Sequence, residues 1–423
     1  MHSTSNGFAG AQTVVEPARE LPVTGAYDVA VVGGGMAGVA AAISAARNGV
    51  SVCLLERTCS LGGLATIGNV TVWLVLCDGM GRQVTAGLAE ELLKLSVADL
   101  KRDNPNAGFV GIPPRWKTDG PGEGEGERNT RYLTRFNPFS YMLALEEAVV
   151  RAGVEIMYDT RLCNVITADQ RVRYLIVENK SGRSAIECRT VVDASGDADV
   201  CYLAGEQTES LATNVLAGWF YYLTDDGLNL VKMTNKFSPY ATTEGAEGPF
   251  FRGDDAKDVT AQVLGSREMM RKRMAEIRER HPDQDPQLIG PPSIPCLRMT
   301  RRLVGAMSLG ERHRHQWFED AVGLIGDWRR RGPVYAIPWR TLRAVRTLNL
   351  TAVGRCMSSD TTAWDATRGI SACVLTGEAA GTASAIAVKK YGGDLSALPV
   401  SELQRRLVDQ GALLDPELVK PIA

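Results

Sequence analysis

Histidine is scarce, with four in 423 residues. No two of them sit at a metal-ligand helix spacing with an acid between, so a zinc hydrolase motif is excluded. The nine cysteines, Cys53, Cys59, Cys77, Cys163, Cys188, Cys201, Cys296, Cys356 and Cys373, include no C-x-x-C pair, and their number is odd. Scattered thiols argue against a disulfide scaffold and for a reducing compartment, so a cytoplasmic location is expected. Charge of one sign is missing too: 47 Lys and Arg face 49 Asp and Glu, a net of −2. Nothing in that balance draws the chain to nucleic acid or to an anionic membrane. Residues 1–25 hold no apolar run and no twin arginine, so no secretory signal is expected. The longest apolar-looking stretch, Ile370 to Val388, is mostly Ala, Gly, Ser and Thr and contains Glu378. It reads as a closely packed buried helix, not a membrane span. No internal repeat is present.

What is there suits a globular enzyme. Apolar residues make up 44% and charged residues 23%, ordinary values for that class. The length exceeds one simple core. The expected fold class is α/β, a Rossmann-like domain with an inserted α+β substrate or cap domain. The expected layout is a tail over 1–25, a first nucleotide-binding part over 26–200, a cap over 201–345, a return over 346–390 and a helical tail over 391–423. Asp119 to Asn129 is Gly- and acid-rich and reads as a loop. Arg135 to Ala152 reads as a helix, and VEIMY, RLCNVIT, RVRYLIVE, SAIEC and TVVDA as short strands of a meander. Arg267 to Arg280 reads as a solvated charged helix, and Ser401 to Gln410 as a short outer helix.

The chemistry begins at Tyr27. The β-branched run to Val32 is followed by Gly33-Gly34-Gly35-Met36-Ala37-Gly38 and an Ala-rich helix ending before Gly49. A lone G-x-G-x-x-G is weak, but strand, turn, helix and a second strand over Val50 to Leu55 make a dinucleotide-binding unit. Gly33 serves the tight turn, Gly35 leaves room for a pyrophosphate, and Gly38 lets helix and strand approach. The helix N-terminus then presents free N–H groups to phosphate. Glu56 ends the second strand, where an acid accepts from ribose hydroxyls. Arg57 through Gly62-Gly63 then separates FAD from NAD, because a second glycine step next to the acid has no use in a simple NAD site. Non-covalent FAD is expected, with Leu64, Ala65 and Thr66 continuing along it.

At this point the chain resembles the FAD-dependent oxidoreductases related to fumarate reductase and succinate dehydrogenase flavoproteins, and in particular a "GRCxS" type. The stretches that carry the resemblance are Thr190 to Asp199 (TVVDASGDAD), Pro295 to Gly305 (PCLRMTRRLVG), Gly354 to Ser358 (GRCMS) and Gly377 to Thr382 (GEAAGT). The resemblance covers 27–200 and 290–390. It implies that Leu162, Ala194, Ser195, Gly196, Asp197, Gly354, Arg355, Ser371 and Ala372 join the cofactor set. A second strand–turn–helix, Leu348 to Thr382, would bring another helix N-terminus to the flavin.

Hydride transfer between the flavin N5 and a small organic substrate, an anionic one included, is the expected reaction. The expected catalytic set is Arg301, Arg302, Arg340, Asp360 and Arg368. Arg298 joins Arg301 and Arg302 in a cluster that reads equally as an anion anchor or as structural ion pairs. The family often carries a His-Glu pair after GRCxS; here Ser359-Asp360-Thr361-Thr362-Ala363 stands instead, so Asp360, Asp365 or Tyr335 would handle a proton. His313 and His315 read as surface residues. Cys59, Cys356 and Cys373 read as small packing residues near the cofactor. The expected partners are a small-molecule substrate and an electron donor or acceptor.

Three other readings stand beside this one. A disulfide reductase needs cysteines after the Gly-Gly step and a second nucleotide motif, and neither is present. A flavin monooxygenase or halogenase lacks its G-D-A-A-H-type segment here. A flavin-binding redox sensor without turnover remains a different class of reading.

Overall fold

The computed structural model describes residues 12–74, 76–98 and 134–422. The expected loop at 119–129 lies outside them.

β1 (Val23–Val32) leads by a tight turn into α1 (Met36–Arg47), and β2 (Val52–Leu55) follows. Apolar, β-branched residues fill β1 where it is buried, from Val29 to Val32. The strand begins earlier than Tyr27, because the Ala185 amide donates to the carbonyl of Pro22 and extends the ladder. A short pair, β3 (Val72–Trp73) and β4 (Thr134–Arg135), flanks α2 (Leu88–Val97) in sequence. Asn137 caps α3 (Pro138–Arg151), accepting from the Phe139 amide at 3.0 Å, with Pro138 at the first helical position. Next come β5 (Glu155–Met157), β6 (Arg161–Ala168), β7 (Arg171–Asn179) and β8 (Gly182–Asp193).

β1 is the centre of the main sheet. It runs parallel to β2 and to β8, and β5 runs parallel to β2. β6 and β7 add antiparallel to β8. Two expectations change here. VEIMY belongs to the parallel sheet and not to the meander. SAIEC and TVVDA are one strand, β8, whose first half pairs with β7 while its whole length pairs with β1.

The chain then leaves the sheet through α4 (Asp199–Leu203), β9 (Thr208–Ser210), β10 (Phe220–Thr224) and β11 (Gly227–Val231). α5 (Ala256–Arg280) is much longer than its charged end suggested. It starts at Ala256 because Asp255 caps it, accepting from the amides of Lys257 and Asp258. β12 (Gln287–Gly290) pairs with β10, β13 (Arg301–Leu303) pairs with β9, and β14 (Ala321–Gly326) pairs with β15 (Val334–Pro338). Residues 201–345 feed two cores. One joins Phe220 to Met270, Met274 and Ile277; the other joins the β14–β15 hairpin to the helices that follow.

β16 (Leu350–Ala352) returns beside β8, in parallel, and completes a seven-stranded sheet. α6 (Trp364–Thr367), α7 (Ile370–Lys390) and α8 (Val400–Asp409) close the chain. The second strand–turn–helix is therefore longer than expected, since a 3₁₀ turn and α6 stand between β16 and α7. Among the described residues α7 is the one helix long and apolar enough to cross a membrane, and 89% of its apolar window is buried inside the protein.

α7 lies directly on α1. A Cβ on Gly377 would sit 2.1 Å from the Ala37 carbonyl, and one on Gly381 would sit 2.2 Å from that of Ala41. The missing side chains let two backbones touch, and Ser44 locks the crossing by bonding Thr382 Oγ1 at 2.7 Å. This contact fixes how the two helix N-termini stand relative to each other.

Candidate active site

Gly33 and Gly38 hold the first turn together. A Cβ on Gly38 would meet the Gly33 carbonyl oxygen at 1.8 Å, and one on Gly33, at φ +102°, would meet the Ala194 carbonyl oxygen at 2.4 Å. Gly35 differs, because a Cβ there would meet nothing within 4 Å. No side chain caps α1 and no acid stands in its first turn. The turn thus presents open space in front of backbone N–H groups at Met36, Ala37 and Gly38, the condition for holding a diphosphate.

A second turn lies against the first. Gly62 donates to the Gly34 carbonyl at 2.8 Å, and Gly63 faces Gly35. A 3₁₀ turn, Gly63–Ala65, follows. Leu64 stays half-buried, but the Thr66 hydroxyl is spent on the Leu61 carbonyl. A third turn, Gly354–Cys356, sits beside both, with Gly354 facing Ala37 and Cys373. Glu56 is buried. Its Oε2 accepts from the Gly34 amide at 2.7 Å, and its Oε1 accepts from the amide and hydroxyl of Thr58. Two lone-pair positions on each oxygen leave one acceptor site free. Arg57 is exposed, and Leu162 is half-buried on β6.

The Asp193–Asp199 turn is built around the Asp193 carboxylate. That group accepts from Ser195 twice and from the Cys201 amide at 2.9 Å. Burial raises its pKa, and these bonds oppose the rise. Ser195 spends its hydroxyl inside the turn, donating to Asp193 and accepting from the amides of Asp197 and Asp199. Arg355 is likewise committed to protein. Nε donates to the Gly196 carbonyl at 2.6 Å, Nη1 to that of Leu297 at 2.8 Å and Nη2 to Asp197 at 3.0 Å. Both residues place other groups; neither side chain is spare for a cofactor.

The expected catalytic arginines separate in the structure. Arg301 pairs with Asp199 at 2.6 Å and lies over Tyr202. Arg302 pairs with Glu209, and Arg340 pairs with Asp320 at 2.6 Å. Asp360 accepts from the amide and hydroxyl of Thr362 and faces Arg312. In this arrangement these four are structural partners, a correction to the expected catalytic set. Tyr335 is fully buried beside Asp327. Arg368 pairs with Asp365, whose other oxygen, Oδ2, is buried without a partner among the described residues. That pair stands just before Gly369, the cap residue of α7, where no side chain caps the helix and no acid occupies the first turn. Ser371 and Ala372 lie in that first turn.

His313 and His315 are corrections of another kind. Both are half-buried and bonded, His313 Nδ1 to the Gly310 amide at 3.0 Å and His315 Nδ1 to the Val419 carbonyl at 2.8 Å. The stretch is a single 3₁₀ turn, not a helix. Cys356 and Cys373 pack against the site, and burial raises both thiols, the second to about 11. Cys59 is exposed. Sequence reasoning gave Arg298 the same weight as its neighbours; that no acid among the described residues pairs with it became visible only in three dimensions.

Comparison with known proteins gives a family. Residues 28–214 and 228–407 match the family model described as FAD dependent oxidoreductase. A stretch of 57 residues is 47% identical to part of the ferredoxin:CoB-CoM heterodisulfide reductase of Methanosarcina acetivorans; the match covers 13% of this chain and 7% of that protein's length. Among solved structures, a geranylgeranyl bacteriochlorophyll reductase-like protein of Thermoplasma acidophilum aligns over 93% of this chain and 94% of its own, at 15% identity and a TM-score of 0.44. The p-nitrophenol 4-monooxygenase of Pseudomonas putida aligns over 91% and 84%, at 15% identity and a TM-score of 0.45. A myxobacterial chondrochloren halogenase aligns over 90% and 78%, at 13% and 0.43.

The residues present fit FAD. Gly35 opens onto an uncapped helix end, Glu56 keeps an acceptor site, and two further glycine turns line the same cleft. This chain belongs to the FAD dependent oxidoreductase family, and it is an enzyme whose cofactor is FAD.

Proposed function

We propose that the enzyme transfers a hydride between a small organic substrate and the flavin N5. When bound, FAD supplies the two-electron carrier. The chain's own residues bind, orient and hold charge. The observation that supports the reading is the free N-terminus of α7 beside the Asp365–Arg368 pair. A helix end of that kind stabilises negative charge developing in front of it. Arg368 adds a fixed positive charge one residue before the cap, and Asp365 holds that guanidinium in place. Gly35, Met36, Ala37 and Gly38 would hold the diphosphate at the other helix end, with Glu56 on the adenosine ribose.

The test is anaerobic mixing of the FAD-loaded protein with candidate donors. The expected result is loss of the visible flavin absorption, slowed when the donated hydrogen is replaced by deuterium. If only reduced nicotinamide bleaches the flavin and oxygen then enters the product, the enzyme is a monooxygenase. If no donor bleaches it, the redox-sensor reading replaces this one.

A further inference from the structure

Three arginines share one short segment, and one of them has no acid paired with it among the described residues. Arg301 and Arg302 are paired with Asp199 and Glu209. Arg298 makes one side-chain hydrogen bond, from Nη2 to Thr234 Oγ1 at 3.2 Å. Its guanidinium stacks 3.9 Å from the centre of the Phe237 ring. A guanidinium carries five N–H donors, so most of its donors have no acceptor among the described residues. Its nitrogens are not among the buried atoms sealed from solvent without a partner, so the unused donors face accessible space.

The surrounding charge points the same way. The charged groups felt by Arg298 are Arg368 and Asp365, and Asp365 already receives Arg368 Nε at 2.7 Å. Burial first, and then the positive charge of Arg368, bring the Arg298 pKa down to about 10. A desolvated cation next to a second cation is unfavourable until an anion joins them.

The position is also built. The Arg298 amide donates to Asn214 Oδ1 at 2.7 Å. The preceding carbonyl, Leu297, accepts from Arg355, and Cys296 Sγ lies 3.5 Å from the Gly68 carbonyl. The segment is therefore tied both to the chain following the second glycine turn and to the Gly354–Cys356 turn. Its guanidinium belongs to the wall of the cofactor cleft.

We infer that Arg298 is the substrate anchor and that the substrate carries a carboxylate, gripped at two points by this guanidinium with Phe237 stacked against it and Arg368 alongside. The assignment rests on the oxidoreductase reading above and narrows it to organic acids. Arg368 is held by its own acid, so the anchor is Arg298 and the neighbouring arginine raises the local positive field.

Calorimetry of the FAD-loaded protein with sodium benzoate, at constant ionic strength, tests it. Wild-type protein is expected to bind benzoate. Arg298→Gln is expected to weaken that binding at least ten-fold while flavin content and visible spectrum stay as in wild type. Arg298→Lys keeps the charge and loses the planar fork, so an intermediate weakening is expected. Equal benzoate affinity in wild type and Arg298→Gln overturns the proposal, as does wild-type protein that binds no benzoate at tens of millimolar. Tighter binding of sulfate than of benzoate, with the same dependence on Arg298, overturns the carboxylate assignment. If Arg298→Gln loses its flavin, the Lys variant decides, and unchanged affinity there sinks the anchor. Benzoate bound through Arg298 by a protein that no hydride donor reduces would sink the hydride-transfer reading and leave the anion anchor standing.

Discussion

In the Gly33–Gly38 turn the constraint is backbone against backbone: a single added methyl on Gly38 would fall 1.8 Å from a carbonyl oxygen. In the Arg298–Arg302 segment the constraint is charge, with two guanidinia neutralised by Asp199 and Glu209 and a third left open. The first region has one solution, because steric exclusion tolerates no alternative partner. The second has several on paper, because an arginine takes any carboxylate the fold brings within reach. A pattern of glycines can therefore be read as a site, while a pattern of arginines states only that some anion is needed.

Substitutions can press on that contrast. The largest effect is expected at Gly38. Gly38→Ala pushes the turn off the helix, with a loss of about 3 kcal/mol or more and no flavin retained. A yellow Gly38→Ala protein melting like wild type would break the steric account.

The two regions meet on α7, which carries Glu378. That carboxyl is buried, accepts from the Leu88 amide, and burial raises its pKa to about 7. A raised acid binds its proton more tightly in the folded state. Its stabilising contribution is complete below about pH 4.5 and is lost as pH climbs through 7. Glu378→Gln removes that titration. Between pH 5 and 8, wild type should lose up to about 3 kcal/mol relative to Glu378→Gln, read by urea unfolding. A constant difference across that range would show that Glu378 does not titrate there.

Gly35→Ala is the sharper partner to Gly38→Ala. Its φ of −67° suits alanine, and the added methyl meets open space. Stability of the flavin-free protein should shift by under about 0.5 kcal/mol. FAD affinity should fall about ten-fold, roughly 1.4 kcal/mol, as measured by flavin fluorescence titration. Unchanged affinity would place the diphosphate elsewhere.

The smallest effect is expected in the charged segment. Arg302→Met removes a buried cation whose partner, Glu209, stays 42% exposed and can be solvated. A change within about 1 kcal/mol is expected in a thermal melt, with benzoate affinity as in wild type. A lost benzoate response in that variant would return Arg302 to the site and weaken the case for Arg298.

Much of the nucleotide half was legible in the sequence. Alternation of β-branched residues, a glycine turn, an Ala-rich helix and Glu56 are local features separated by a few residues, and β1, α1 and β2 follow them. The edges moved where the cause was distant. β1 starts early because it pairs with β8, more than 150 residues away. α5 starts at Ala256 because a cap decides a helix end more firmly than its charge pattern does. The strands of the meander were legible, but not that Glu155–Met157 joins the parallel sheet, since a three-residue strand carries no periodicity to assign it.

The sequence by itself determined that this chain grips a dinucleotide and is built as an α/β flavoprotein, because the absence of side chains at fixed positions is a local steric fact. The tertiary structure alone decided which arginines are spent and which is open. It brought Asp199, Glu209 and Asp320 to three of them and left Arg298 beside Arg368. Electrostatic pairing acts through space between segments that the chain order keeps apart, so no local pattern contains it.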